Sequence, residues 1–239
     1  MASIPLLIHG PPTAPATLLL AHGAGAPMDS PFMNAIALGL AQRGWRVARF
    51  EFPYMARRRL TGRPSPPDAL PKLLESFRAA ALAATTDRAD GPSPLFIGGK
   101  SLGGRVASLL VDALAPTGVR GCFCLGFPFH PPGKPQLMRG QHLASLATPT
   151  LILQGERDPF GRREELATLP VSPSLRLEWL ASGDHSFKPN RASGLSEADN
   201  WAEAVVAIDR FCKAVLADAA EAGPVPLTGR SAKIDKPPD

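Results

Sequence analysis

The chain has 239 residues, 44% of them hydrophobic, enough to bury a large core and too many for a disordered chain. Its 27 prolines and 22 glycines stay below the share typical of low-complexity sequence and read as punctuation between packed elements. The net charge of +5 is spread along the chain with no long basic tract, which gives no reason to expect nucleic acid as a partner.

Short apolar runs alternate with longer segments of helical period, the pattern of an α/β protein with a mostly parallel central sheet and helices on both faces. Ala16 to Ala21 reads as a strand ending at His22-Gly23-Ala24-Gly25, and Phe32, Ile36 and Leu40 then mark one helix face, with Gly44 where a C-cap would fall. Arg46 to Phe52 reads as a second strand, in which Val47, Arg49 and Glu51 alternate with the other residues and which Pro53 stops. Tyr54 to Pro67 reads as a Pro/Arg-rich loop. Its Arg57, Arg58, Arg59 and Arg63 suggest solvated surface, with an anion-attracting rim near a site as the sharper alternative.

Leu73, Phe77 and Ala81 mark the next helix, Gly91 to Pro94 a turn, and Leu95 to Gly98 a buried strand with a sharp turn after it at Gly99 to Gly103. Val106, Leu109, Leu110 and Ala113 follow as a helix. Arg120–Leu125, Thr150–Gln154 and Leu175–Leu180 read as further strands, and the stripe Trp201, Val205, Ile208, Cys212, Val215 marks a terminal helix. Residues 1–222 are expected to form one domain, and the Pro-rich stretch 223–239 a disordered tail.

Gly98-Gly99-Lys100-Ser101-Leu102-Gly103-Gly104 lies between a strand and a helix, the context of a GxSxG nucleophile elbow. Such a turn holds the serine in an unfavourable backbone conformation, so the residues two before and two after must be small, and Gly99 and Gly103 meet that need. A phosphate-binding loop would want a glycine where Pro94 stands. A serine nucleophile needs a base within reach and a carboxylate to orient that base. Asp158 and His185 each follow a strand and so fall on the same sheet edge as Ser101. Glu156 and Asp184 are the rival carboxylates, and His9, His22, His130 and His142 the rival imidazoles. The turn His22-Gly23-Ala24-Gly25 is placed to supply one oxyanion-hole amide, from Ala24 or alternatively Gly25, with the other from Leu102.

The motifs HGAGA, GGKSLGG, GERDPFG and GDHSF, in this order over about Thr17 to Leu216, resemble the α/β-hydrolase superfamily and within it the small dienelactone-hydrolase-like branch. Dienelactone hydrolases proper carry a cysteine nucleophile, whereas this chain has Ser101. The resemblance implies an α/β-hydrolase fold. The superfamily often inserts a helical lid between the strands ending near Leu125 and starting near Thr150, but here the intervening Gly126–Pro149 is too short for a lid domain. Its Phe127, Phe129 and His130 among prolines are expected to wall a pocket.

Cys122, Cys124 and Cys212 are too few and too odd in number for a disulfide framework, which points to the cytoplasm. Cys122 and Cys124 share one strand face and read as buried thiols, with no metal or other cofactor expected. Neither a signal peptide nor a membrane span is expected. The sequence thus points to a serine esterase or thioesterase with a small-molecule substrate, a monomer or small homo-oligomer. The alternative is a hydrolase-fold scaffold or regulatory binding module.

Overall fold

The computed structural model describes residues 4–86, 91 and 93–221; the expected tail over 223–239 and part of the expected 91–94 turn lie outside them. Among the described residues the strands are β1 (Leu7–His9), β2 (Thr17–Ala21), β3 (Arg46–Phe50), β4 (Leu95–Lys100), β5 (Val119–Leu125), β6 (Thr150–Gly155) and β7 (Leu175–Leu180). The helices are α1 (Pro31–Gln42), α2 (Pro53–Thr61), α3 (Leu70–Thr86), α4 (Leu102–Ser108), α5 (Val111–Leu114), α6 (Arg163–Leu166) and α7 (Glu197–Glu221). The strands form one sheet in the order β1-β3-β2-β4-β5-β6-β7, parallel throughout except for the antiparallel edge pair β1 and β3.

Strand side chains alternate between two cores because successive residues point to opposite faces. Leu18, Leu20, Phe96, Phe123 and Leu151 pack beneath α1 and α7, while Leu19, Ala21, Ile97, Cys122 and Ile152 pack with residues of α2 to α5. The chain runs outward from β2 to β3 in one direction and from β4 to β7 in the other. This reversal between β2 and β4 sets the turns that follow them side by side at the carboxyl edge, where open α/β sheets bind ligands.

Several elements differ from the sequence reading, among them the helix expected through Val106 to Ala113, which is broken at Leu109–Leu110 into α4 and α5. The edge strand β1 was not expected. All of β3 is buried, Arg46 and Arg49 included, so its alternation marks no solvent face. The Arg49 guanidinium instead donates to the Met28 carbonyl, Asn34 Oδ1 and His9 Nε2. The expected loop from Tyr54 is helical as far as Thr61. Pro53 sits in its first turn, where a missing N–H costs nothing, and Gly62 closes it in the left-handed region at φ 64°.

The arginines of α2 are largely engaged with the protein itself. Arg57 pairs with Asp68 at 2.7 Å, and Arg59 bridges Asp29 and Glu51, at 2.8 and 2.6 Å. Between β5 and β6 the only helical segment is a 3-10 turn over Gln141–Ser145, so no lid domain is inserted there. Phe127, Phe129 and His130 are buried in the interior and do not line the cleft that holds Ser101. No helix among the described residues is long and apolar enough to cross a membrane.

Candidate active site

Ser101 joins β4 to α4 with φ 49° and ψ −110°, a strained conformation for a residue with a side chain. Its surroundings fix that conformation: the Ser101 amide donates to the Leu125 carbonyl at 2.9 Å, and the Ser101 carbonyl accepts from the Arg105 amide at 2.9 Å. Small neighbours make the turn possible. A Cβ on Gly99 would lie 2.3 Å from the Ala21 carbonyl oxygen, and one on Gly103 would lie 2.4 Å from the same atom and 2.7 Å from the His22 oxygen. Since both obstacles are backbone of the neighbouring strand and turn, Gly103→Ala is expected to destabilise the fold by about 3 kcal/mol. Urea unfolding reads this directly, and a midpoint equal to that of the unsubstituted chain would show that the end of β2 can move aside.

The structure brings Ser101, His185 and Asp158 together. His185 Nε2 lies 2.9 Å from Ser101 Oγ, and His185 Nδ1 lies 2.8 Å from Asp158 Oδ2. Asp158 is fully buried; Gln154 Nε2 donates to the same Oδ2 at 2.9 Å and the Phe160 amide donates to Oδ1 at 2.8 Å. With the carboxylate accepting at Nδ1, the imidazole proton belongs there, and Nε2 presents its lone pair to the serine hydroxyl. Burial holds the His185 pKa below the ordinary histidine value and the Lys100 cation acts in the same direction, against Asp158 and Asp184. The Phe160 ring packs over the imidazole with centroids 4.2 Å apart.

The rival residues have other partners. Asp184 Oδ1 accepts the Ser186 and Lys188 amides at 2.8 and 3.0 Å, and Glu156 accepts the Ser182 amide at 2.9 Å. His130 faces Glu165, His142 faces the Ser108 hydroxyl, and His9 faces Arg49.

His22 braces the turn beside Ser101. The Phe52 amide donates to His22 Nε2 at 3.1 Å, so Nδ1 carries the proton and donates to the Gly23 carbonyl at 2.7 Å. Burial lowers the His22 pKa, consistent with a neutral ring. The Tyr54 hydroxyl is shared between the Gly23 and Ala24 carbonyls at 3.2 Å each. The first turn of α2 therefore holds the Gly23–Ala24 backbone against the elbow.

Ala24 and Gly25 line a cleft of about 330 Å³ that also takes in Ser101, His185, Phe32, Met33 and Phe160; Leu102 opens α4 directly after Ser101. A larger groove of about 530 Å³ between α1 and α7, lined by Leu38, Gly39, Trp201 and Val205, offers no nucleophile. Volume alone would therefore mislead. Tyr54 and Gln154 are site residues that sequence reasoning missed. A usable signal existed for each: Tyr54 is the chain's single tyrosine, and Gln154 is a polar residue ending an apolar strand. Cys122 and Cys124 lie buried on one face of β5 with sulfurs 3.9 Å apart. No cluster of three or more His, Cys, Asp or Glu side chains suited to a metal occurs among the described residues.

Comparison with solved structures places the same architecture in several hydrolases. A dienelactone hydrolase from Anabaena variabilis shares 22% identity at a TM-score of 0.62, over 89% of this chain and 90% of that one. Est1E from Butyrivibrio proteoclasticus, solved with ferulic acid, shares 15% at 0.65 over 90% and 96%. An alpha-beta serine hydrolase homologue from Coxiella burnetii shares 18% at 0.60 over 84% and 89%. These likenesses show the fold, that of an α/β hydrolase. The family model for the alpha/beta hydrolase domain matches residues 14–213, and the chain belongs to that family.

Proposed function

We propose that the protein is a serine hydrolase of small carboxylic esters or thioesters. The observation that carries this reading is the unbroken hydrogen-bonded series Asp158, His185, Ser101 opening on the cleft. Ser101 Oγ attacks the substrate carbonyl while His185 Nε2 takes its proton, and His185 then returns that proton to the leaving group. Asp158 orients the ring and stabilises the imidazolium. The Leu102 and Ala24 amides receive the oxyanion, and water, deprotonated by the same imidazole, releases the acid. With no lid domain inserted between β5 and β6, the reading favours small or extended substrates dispersed in water over lipid aggregates. Three buried free cysteines fit a cytoplasmic setting, and the same reading takes the protein as a monomer or small homo-oligomer.

Because the neutral imidazole is the active form and its pKa is lowered, activity should fall on the acid side at a pH below the ordinary histidine value. The test is to treat the folded protein with a fluorophosphonate probe and to assay p-nitrophenyl esters from acetate to octanoate. Labelling confined to Ser101, with turnover that declines once the acyl chain outgrows the cleft, is expected. No labelling and no turnover of any ester would overturn the reading and leave a hydrolase-fold binding module.

A further inference from the structure

Three successive carbonyls of the histidine loop each receive a side-chain donor. Lys100, at the end of β4, donates from Nζ to the His185 carbonyl. Trp201 Nε1 donates to the Ser186 carbonyl at 3.1 Å and Asn200 Nδ2 to the Phe187 carbonyl at 2.7 Å, both from the first turns of α7. Two of these donors are neutral, so holding a loop carbonyl does not itself require a charge. Lys100 nonetheless brings one into the interior. Its ammonium lies 5.4 and 5.9 Å from the ring centroids of Phe32 and Phe187, whose faces offset part of the lost hydration. Gly126 keeps the path open: at φ 64°, a Cβ there would come 2.9 Å from Lys100 Nζ and 2.8 Å from the His185 oxygen.

We propose that Lys100 is a positioning residue for the general base, anchoring the backbone of His185 and setting a fixed positive charge beside its imidazole. This rests on the reading of His185 as the base. The groups that face the ring are Asp158 from the loop after β6, Asp184 from its own loop, Ser101 from the elbow, the neutral Phe160 ring, and Lys100. Two carboxylates favour the imidazolium, and Lys100 opposes them, so the base stays neutral and competent at lower pH than the carboxylates alone would allow. Burial pushes the Lys100 ammonium down to about 8, with Asp158 and Asp184 resisting, so it remains charged over the range in which His185 titrates.

The test is the pH dependence of the rate at which a fluorophosphonate labels Ser101 in the unsubstituted chain and in Lys100→Met, Lys100→Gln and Trp201→Phe. Removing the cation raises the His185 pKa, so both Lys100 variants should move the acid limb upward by about 1 pH unit. Trp201→Phe removes a neighbouring neutral donor and should leave the limb in place, any loosening of the loop being read in the plateau instead. Lys100→Gln, which retains a polar head for the carbonyl, decides the matter if Lys100→Met does not fold. An unmoved limb in the Lys100 variants, or an equal shift in Trp201→Phe, overturns the proposal. Absence of labelling in the unsubstituted chain would instead overturn the hydrolase reading itself.

Discussion

Ser101→Ala is expected to lower kcat/KM for any ester the protein cleaves by about 10⁴- to 10⁶-fold, the order found when the nucleophile of a Ser-His-Asp enzyme is removed. The substitution deletes one hydroxyl and leaves the elbow backbone to be held by the same two hydrogen bonds, to Leu125 and from Arg105. His185 Nε2 then faces the cleft, and with the imidazole side chain 22% exposed, water can satisfy it. Stability should therefore stay within about 1 kcal/mol of the unsubstituted chain, in contrast to Gly103→Ala. Steady-state kinetics on the best p-nitrophenyl ester, with circular dichroism as the control for folding, checks both halves. A loss of less than tenfold in a folded variant would mean that Ser101 is not the nucleophile.

What the sequence made legible follows from where its physical signals are local. The strands β4 to β6 are compact, mainly apolar runs bounded by turns, and Ser101 announces itself because a strained turn demands glycine at both Gly99 and Gly103. Asp158 and His185 could be placed because each follows a strand, and parallel strands deliver their carboxyl ends to one edge. The parts that escaped depend on partners distant in sequence. β1 is three residues long, too short to show a period, and exists through its pairing with β3. α2 buries only Tyr54 and Met55, so it has almost no apolar stripe; Arg59, reaching Asp29 and Glu51, fastens it to the sheet edge. Gln154 acquires its place only when β5 pairs with β6 and brings the Phe127 backbone against it, accepting from the Phe127 amide at 2.7 Å. The place of Lys100 likewise depends on a distant partner, the His185 carbonyl that accepts from its Nζ.

Asp158→Asn is expected to lower kcat by about 10⁴-fold, and the reason lies in the arithmetic of its donors. Oδ2 accepts from both His185 and Gln154, and Oδ1 accepts from the Phe160 amide. An asparagine can present its oxygen to only one of these sets. With Oδ1 toward His185 and Gln154, its amide nitrogen opposes the Phe160 N–H, an unpaired buried donor that costs about 1–3 kcal/mol. Turned the other way, it sets a donor against His185 Nδ1–H and favours the wrong tautomer. Either orientation removes the negative charge that stabilises the imidazolium. The pH profile separates this from a general loosening of the site. Asp158 raises the His185 pKa, so its neutralisation should move the acid limb downward, opposite to the shift expected for Lys100→Met. Residual activity within tenfold of the unsubstituted chain, or an acid limb that moves upward, would show that Asp158 is not the carboxylate that orients His185.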